Sequence, residues 1–155
     1  MYKDVCSVNG KKELLKHMQC FKDLPSDQMT QVVDMFHKLT AMLNHVSKGS
    51  NSRQMIPGAC CAYVKSIEDA RNVLETICGS HPGTPGYLLK MFKQASKDIM
   101  DLSCARYSTI EKCQKSFPTT LRRFDDLIKN VSPQPTGFFV PLMSIGKKLT
   151  VTDVL

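Results

Sequence analysis

From Met29 onward, apolar residues recur at Val32, Val33, Phe36, Leu39, Leu43 and Val46, the three-and-four spacing of one helical face. Ser26 ahead of this run reads as an N-cap, Asp27 as the acidic residue of the first turn, and Gly49 as its close. The stretch before it, Lys11 to Leu24, sets Leu14, Leu15, Met18 and Phe21 on one face, with Cys20 beside them and Pro25 as the stop. Lys48 to Arg53 is loop by composition. A third helix is expected after Pro57-Gly58, with Cys60, Val64, Ile67, Leu74 and Ile77 facing inward and Cys78-Gly79 ending it. Ser80 to Gly83 forms a tight connection. Thr84 as N-cap and Pro85 at the first helical position then open a fourth helix, whose apolar stripe is Leu88, Phe92, Ala95, Ile99 and Leu102.

Ser108-Thr109-Ile110-Glu111 matches a capping box, so a short helix carries Cys113. Leu121, Phe124, Leu127 and Ile128 mark a last helix after Pro118. From Val131 the periodicity disappears, because Pro133, Pro135 and Pro141 interrupt Phe138-Phe139-Val140 and Leu142-Met143. No strand alternation persists anywhere. The pattern predicts an all-α fold, a disulfide-stapled bundle of about five to six helices. It divides the chain into a helical domain, 1–130, and an extended, proline-containing apolar tail, 131–155. Phe138, Phe139, Val140, Leu142, Met143 and Ile145 are too apolar for free solvation. They are expected to dock on a groove of the bundle, a partner subunit or a lipid surface.

Seven cysteines in 155 residues change this picture: Cys6, Cys20, Cys60, Cys61, Cys78, Cys104 and Cys113. A chain of this length buries a core unaided, so the cysteines read as reinforcement in an oxidising, extracellular compartment. No Cys-x-x-Cys spacing occurs, which argues against zinc binding and against thiol redox catalysis. Adjacent helical residues diverge by roughly 100°, so Cys60 and Cys61 cannot easily pair with each other and should reach two neighbouring segments. The third helix then becomes a hub, tied to the first helix and to the region of Cys104 or Cys113, with the connectivity left open. The odd count leaves one thiol free or joined to a second chain. Cys6, ahead of the first helix, is the first candidate for a homodimer.

The chain opens Met1-Tyr2-Lys3-Asp4 with no leader pattern, and the cysteine load favours a mature end carrying an added Met over a cytosolic start. No apolar stretch approaches the roughly 20 residues of a membrane-spanning helix. One glycosylation sequon, Asn130-Val131-Ser132, stands directly before Pro133.

Formal charge is +7 and uneven: ten Lys/Arg against eight Asp/Glu up to Gly83, eleven against six from Thr84. Lys90, Lys93 and Lys97 form a basic stripe on the fourth helix, opposite its apolar face, and Arg122-Arg123 and Lys147-Lys148 could extend it. The stripe reads either as a solvated face or as a surface for anionic phospholipid or sulfated glycan. Nucleic-acid binding is not expected, since aromatic residues that stack bases do not interleave with the cations. Catalytic signals are missing: there is no Gly-x-Ser-x-Gly elbow, and Gly79, Gly83 and Gly86 belong to a turn rather than a phosphate loop. The adjacent carboxylates Glu68-Asp69 and Asp125-Asp126 point apart on their helices and read as solvated charge. His17 and Cys20 could reach one metal ion, but no second pair completes a site, so a surface histidine and a disulfide cysteine are expected instead. Neither metal nor cofactor is expected, and no enzymatic activity. Nine Met and no Trp describe a deformable aliphatic core. Met18, Met35, Met42, Met91 and Phe92 are the candidates to line a cavity for a small apolar ligand.

The segments Leu15-Lys16-His17-Met18-Gln19-Cys20, Cys60-Cys61-Ala62-Tyr63, Leu74-Glu75-Thr76-Ile77-Cys78 and Ser103-Cys104 resemble secreted invertebrate helical cysteine-rich proteins of the 27 kDa hemolymph glycoprotein-like kind. The resemblance runs from about Cys6 to Cys113 and lies in cysteine spacing. It implies an extracellular location and no particular activity. Cys104 and Cys113, with eight residues between, are also similar to the last cysteine pair of insect odorant-binding proteins, which hold apolar ligands in a helical bundle. The Cys-x3-Cys pair of that family is missing here, and Cys60-Cys61 has no counterpart in it. The expected function is a secreted binding or interaction protein that recognises another extracellular protein. The alternatives are a carrier of a small apolar ligand or lipid, and a basic, membrane- or glycan-directed protein of antimicrobial type.

Overall fold

The computed structural model describes residues 7–22, 24–49, 51–133, 145 and 148. Six α-helices and one 3-10 turn make up the described residues, with no strand among them. They are α1 (Val8–Lys22), α2 (Ser26–Gly49), α3 (Ser52–Ile77), α4 (Thr84–Ser103), the 3-10 turn Ala105–Tyr107, α5 (Ile110–Ser116) and α6 (Pro118–Lys129). The all-α, disulfide-stapled bundle read from the periodicity is therefore the fold.

The boundaries depart from expectation where local chemistry competes. α3 starts at Ser52, not after Pro57-Gly58, because the Asn51 side chain accepts from the Gln54 N–H and caps the helix about two turns earlier. Pro57 lies inside it and removes one backbone donor, a cost met by the cap and by burial of Met55. At α4 the N-cap is Gly83, at φ 82°, and Thr84 is already helical. In the capping box the cap moves one residue on: the Thr109 hydroxyl accepts from Lys112 N–H. That hydroxyl and backbone N–H donation hold the Glu111 carboxyl below its ordinary range, backbone donation being the larger cause.

α3 is the axis of the molecule, with its broadest contact on α2 and further contacts to α4, α5 and α6. α2 runs antiparallel to it, Val46 opposite Gly58 and Lys38 opposite Asp69, the last two paired at 3.0 Å. Lys65 reaches Asp125 at 2.6 Å and ties α3 to α6. One apolar cluster joins α2, α3 and α6 through Met42, Leu43, Val46, Ala62, Leu121 and Phe124. A second joins α1, α3 and α4 through Cys20, Ile67, Leu74, Ile77 and Leu89.

Gly58 marks the closest approach of α2 and α3, because a Cβ there would lie 3.0 Å from a Val46 methyl. Val46 is fully buried and cannot turn away. Gly58→Ala is therefore expected to lose about 1 kcal/mol, overpacking outweighing the gain in helix propensity. Urea unfolding that shows the variant more stable than wild type contradicts this.

The three disulfides are Cys20–Cys78, Cys60–Cys104 and Cys61–Cys113. The two adjacent cysteines do enter different bridges, and α3 is the hub, since each bridge has one end on it or on its C-cap. Cys6, the candidate for an intermolecular bridge, lies outside the described residues. So do Phe138, Phe139, Val140, Leu142, Met143 and Lys147. Ile145 is buried in the first apolar cluster, and Lys148 Nζ donates to the Ser47 carbonyl, so these two tail positions contact the bundle.

Candidate functional site

α4 is held at both ends and bare along one side. Its C-cap, Cys104, is bonded to Cys60 of α3. Its first residue, Thr84, is buried and joined to His17 of α1 (Nδ1 to Oγ1 2.9 Å), while His17 Nε2 lies 3.0 Å from the Glu13 carboxylate. A carboxylate only accepts, so Nε2–H donates to Glu13 and Nδ1 accepts from the Thr84 hydroxyl. The imidazole stacks on Tyr87, ring centroids 4.2 Å apart. His17, expected on the surface, is thus 5% exposed. The reason is that α1 turns the side bearing His17 and Cys20 toward α4, leaving Leu15 and Met18 exposed where an inward face was expected.

Glu13, His17 and Thr84 superficially resemble a carboxylate–base–hydroxyl relay. The Thr84 hydroxyl has no room for a substrate, since Thr84 is only 2% exposed. The array pins α1 to the start of α4, and the hollow outside it, about 540 Å³ between Glu13, Tyr87 and Met91, is a surface feature. Sequence reasoning missed this network because Thr84 looked like a helix cap. The available signal was the Glu13–His17 spacing of four. Cys20 is committed to Cys78, so the His17–Cys20 pair cannot ligate metal. Among the described residues no group of three or more His, Cys, Asp and Glu could hold an ion.

The apolar stripe of α4 was expected to face inward. Instead Leu89 is the one buried apolar residue of the helix, while Phe92, Ile99 and Leu102 stand 46%, 70% and 82% exposed. Leu89 sits one position, or roughly 100°, round from Leu88, so α3 covers the side next to the stripe and not the stripe itself. Leu88 packs partly on the second cluster, and Phe92 lies parallel to Tyr63, centroids 6.0 Å apart. The outer row Leu88, Phe92, Ala95, Ile99, Leu102 follows a 4-3-4-3 spacing.

The basic stripe runs along the other side of α4. Lys90 and Lys93 join Arg71 and Glu75 of α3 around a hollow of about 280 Å³ floored by Leu89. The same two lysines, with Lys97, Met100 and Asp101, line a neighbouring hollow of about 340 Å³. Lys97 pairs with Asp101, whose hydrogen bond and, second, charge raise the ammonium above its ordinary range. Arg122 and Arg123 do not extend this stripe, because α6 packs against α2 and α5. Burial first, and then Arg123, push His45 of α2 below the ordinary imidazole range.

The five proposed ligand-lining residues are dispersed. Met42 is in the α2–α3–α6 core, Met35 half-buried on α2, Met18 exposed on α1, and Met91 half-buried on the α1 side of α4, away from Phe92. No helix of the described residues is long and apolar enough to cross a membrane. No protein-family model, curated protein or solved structure matches this chain.

Proposed function

We propose that this is a secreted interaction protein without enzymatic activity, and that it docks on protein through the outer apolar row of α4, in the first instance on a second copy of itself. The observation that carries the reading is the exposure of that row on a helix clamped at both ends. A clamped helix presents its face already ordered, which lowers the entropic cost of association. Burial of Ile99 and Leu102 offers up to about 1.5–3 kcal/mol each, and of the exposed half of Phe92 roughly half that.

A 4-3-4-3 row is the seam of a paired-helix interface. Its two ends, though not Phe92 and Ile99, are placed symmetrically about its middle. Leu88 and Leu102 lie seven residues either side of Ala95, so an antiparallel copy sets Leu88 against Leu102 and brings two small alanines to the crossing. Three disulfides support an extracellular setting, as does Asn130 of the sequon, exposed just past α6. Nothing in the placement of the methionines favours the carrier reading.

Sedimentation equilibrium over a concentration series tests the proposal. Wild type is expected to dimerise in the micromolar range, and Ile99→Glu/Leu102→Glu to stay monomeric with unchanged helicity. Wild type that stays monomeric throughout, or a variant that still dimerises, overturns it.

A further inference from the structure

We infer a second binding site on this molecule: the trough between α3 and α4 lined by Arg71, Lys90, Lys93 and Lys97 holds an anionic polysaccharide, sulfated or carboxylated. Two adjoining hollows share Lys90 and Lys93, which makes them one continuous trough. Arg71, Lys90 and Lys93 form no ion pair among the described residues. The acidic groups facing the trough are Glu75, beside Arg71, and Asp101, already engaged by Lys97. Four cations against two carboxylates leave an excess of two positive charges.

The arrangement is linear. Helical rise sets Lys90, Lys93 and Lys97 along about 10 Å of the α4 axis, and Arg71 widens the track from the neighbouring helix. Such a row matches charges repeated along a chain better than a single small anion. The trough also discriminates between classes of polyanion. Lys90, Lys93 and Lys97 stand roughly 160°, 140° and 180° round α4 from the mean direction of the apolar row, so that row points away from a lipid surface while the lysines meet headgroups. Tyr63, the aromatic that lines it, has its hydroxyl on Ser96 and its ring against Phe92, which leaves no platform for a base. A hydrophilic, flexible polyanion is what remains. The trough lies apart from the apolar row, so this inference does not depend on the dimer.

The test uses heparin as the polyanion and compares Arg71→Gln/Lys90→Gln/Lys93→Gln with a control of equal charge loss, Lys115→Gln/Arg122→Gln/Arg123→Gln. All six positions are exposed. Calorimetric titration at several salt concentrations should show the trough variant about tenfold or more weaker. The slope of log Kd against log salt should fall by about 3, one ion per cation removed. The control should stay within about twofold of wild type. If the triple variant loses helicity, Lys93→Glu alone serves, with the same expected direction. Binding must also persist in Ile99→Glu/Leu102→Glu, which separates this site from the proposed dimer face. Equal loss in the control, no wild-type binding at physiological salt, or dependence on the apolar row would each overturn the inference. So would a preference for phosphatidylserine vesicles over heparin.

Discussion

Replacing Cys61 and Cys113 together by alanine is expected to lower stability by about 4 kcal/mol. The two residues are 52 apart in sequence, and opening a loop of that size restores this much chain entropy to the unfolded state. Both sulfurs are fully buried, so alanine leaves no polar group stranded but does leave a small void. α5 should suffer most. At seven residues it is too short to hold itself, and Cys113 is its one buried side chain. Guanidinium unfolding gives the difference, and amide exchange should show α5 losing protection first. A loss below about 1 kcal/mol would mean that packing alone positions α5.

Phe124→Ala is expected to cost about 3–5 kcal/mol, the range for emptying a fully enclosed aromatic site. Phe124 is fully buried where α6 meets α2, near Met42 and Val46, with the His45 ring edge-on at 6.3 Å. These neighbours lie on α2, a long helix packed along α3, so the space closes little. Leu127→Ala, one turn on and half-buried, should cost clearly less. Equal midpoints for the two variants in a thermal melt would contradict this placement.

Much of the fold was legible in the chain because burial follows helical period wherever a helix has neighbours on both sides of its apolar stripe. Leu39, Leu43 and Val46 of α2, and Cys60, Ile67, Leu74 and Ile77 of α3, are buried as their spacing indicated, whereas Val33 and Phe36, earlier in the α2 run, are exposed. The divergence of Cys60 and Cys61 needed only the angle between successive residues. What spacing cannot give is the direction from which a neighbour comes. α4 has a clean apolar stripe, yet α3 approaches next to it, along Leu89, and α1 from the other flank through Tyr87. The same holds for α1, where Leu15 belonged to the better stripe and His17 to the buried side. Arg71 joined the basic trough only through tertiary packing, for it lies 19 positions before Lys90 in the chain.

The three bridges overlap like links of a chain. Cys20–Cys78 encloses Cys60 and Cys61, and their partners lie beyond it at Cys104 and Cys113. Every peptide bond between Cys20 and Cys113 is therefore spanned by at least one covalent cross-link. A protease that nicks the Gly49–Asn51 connection, or the turn at Ser80 to Gly83, frees no fragment until a reductant is also present. A cut after Cys113 behaves differently: α6 then remains attached by non-covalent contacts alone. Proteolytic damage to this molecule thus divides at Cys20 and Cys113: a single cut between them sheds nothing, and a cut outside them leaves the piece beyond held without a covalent link.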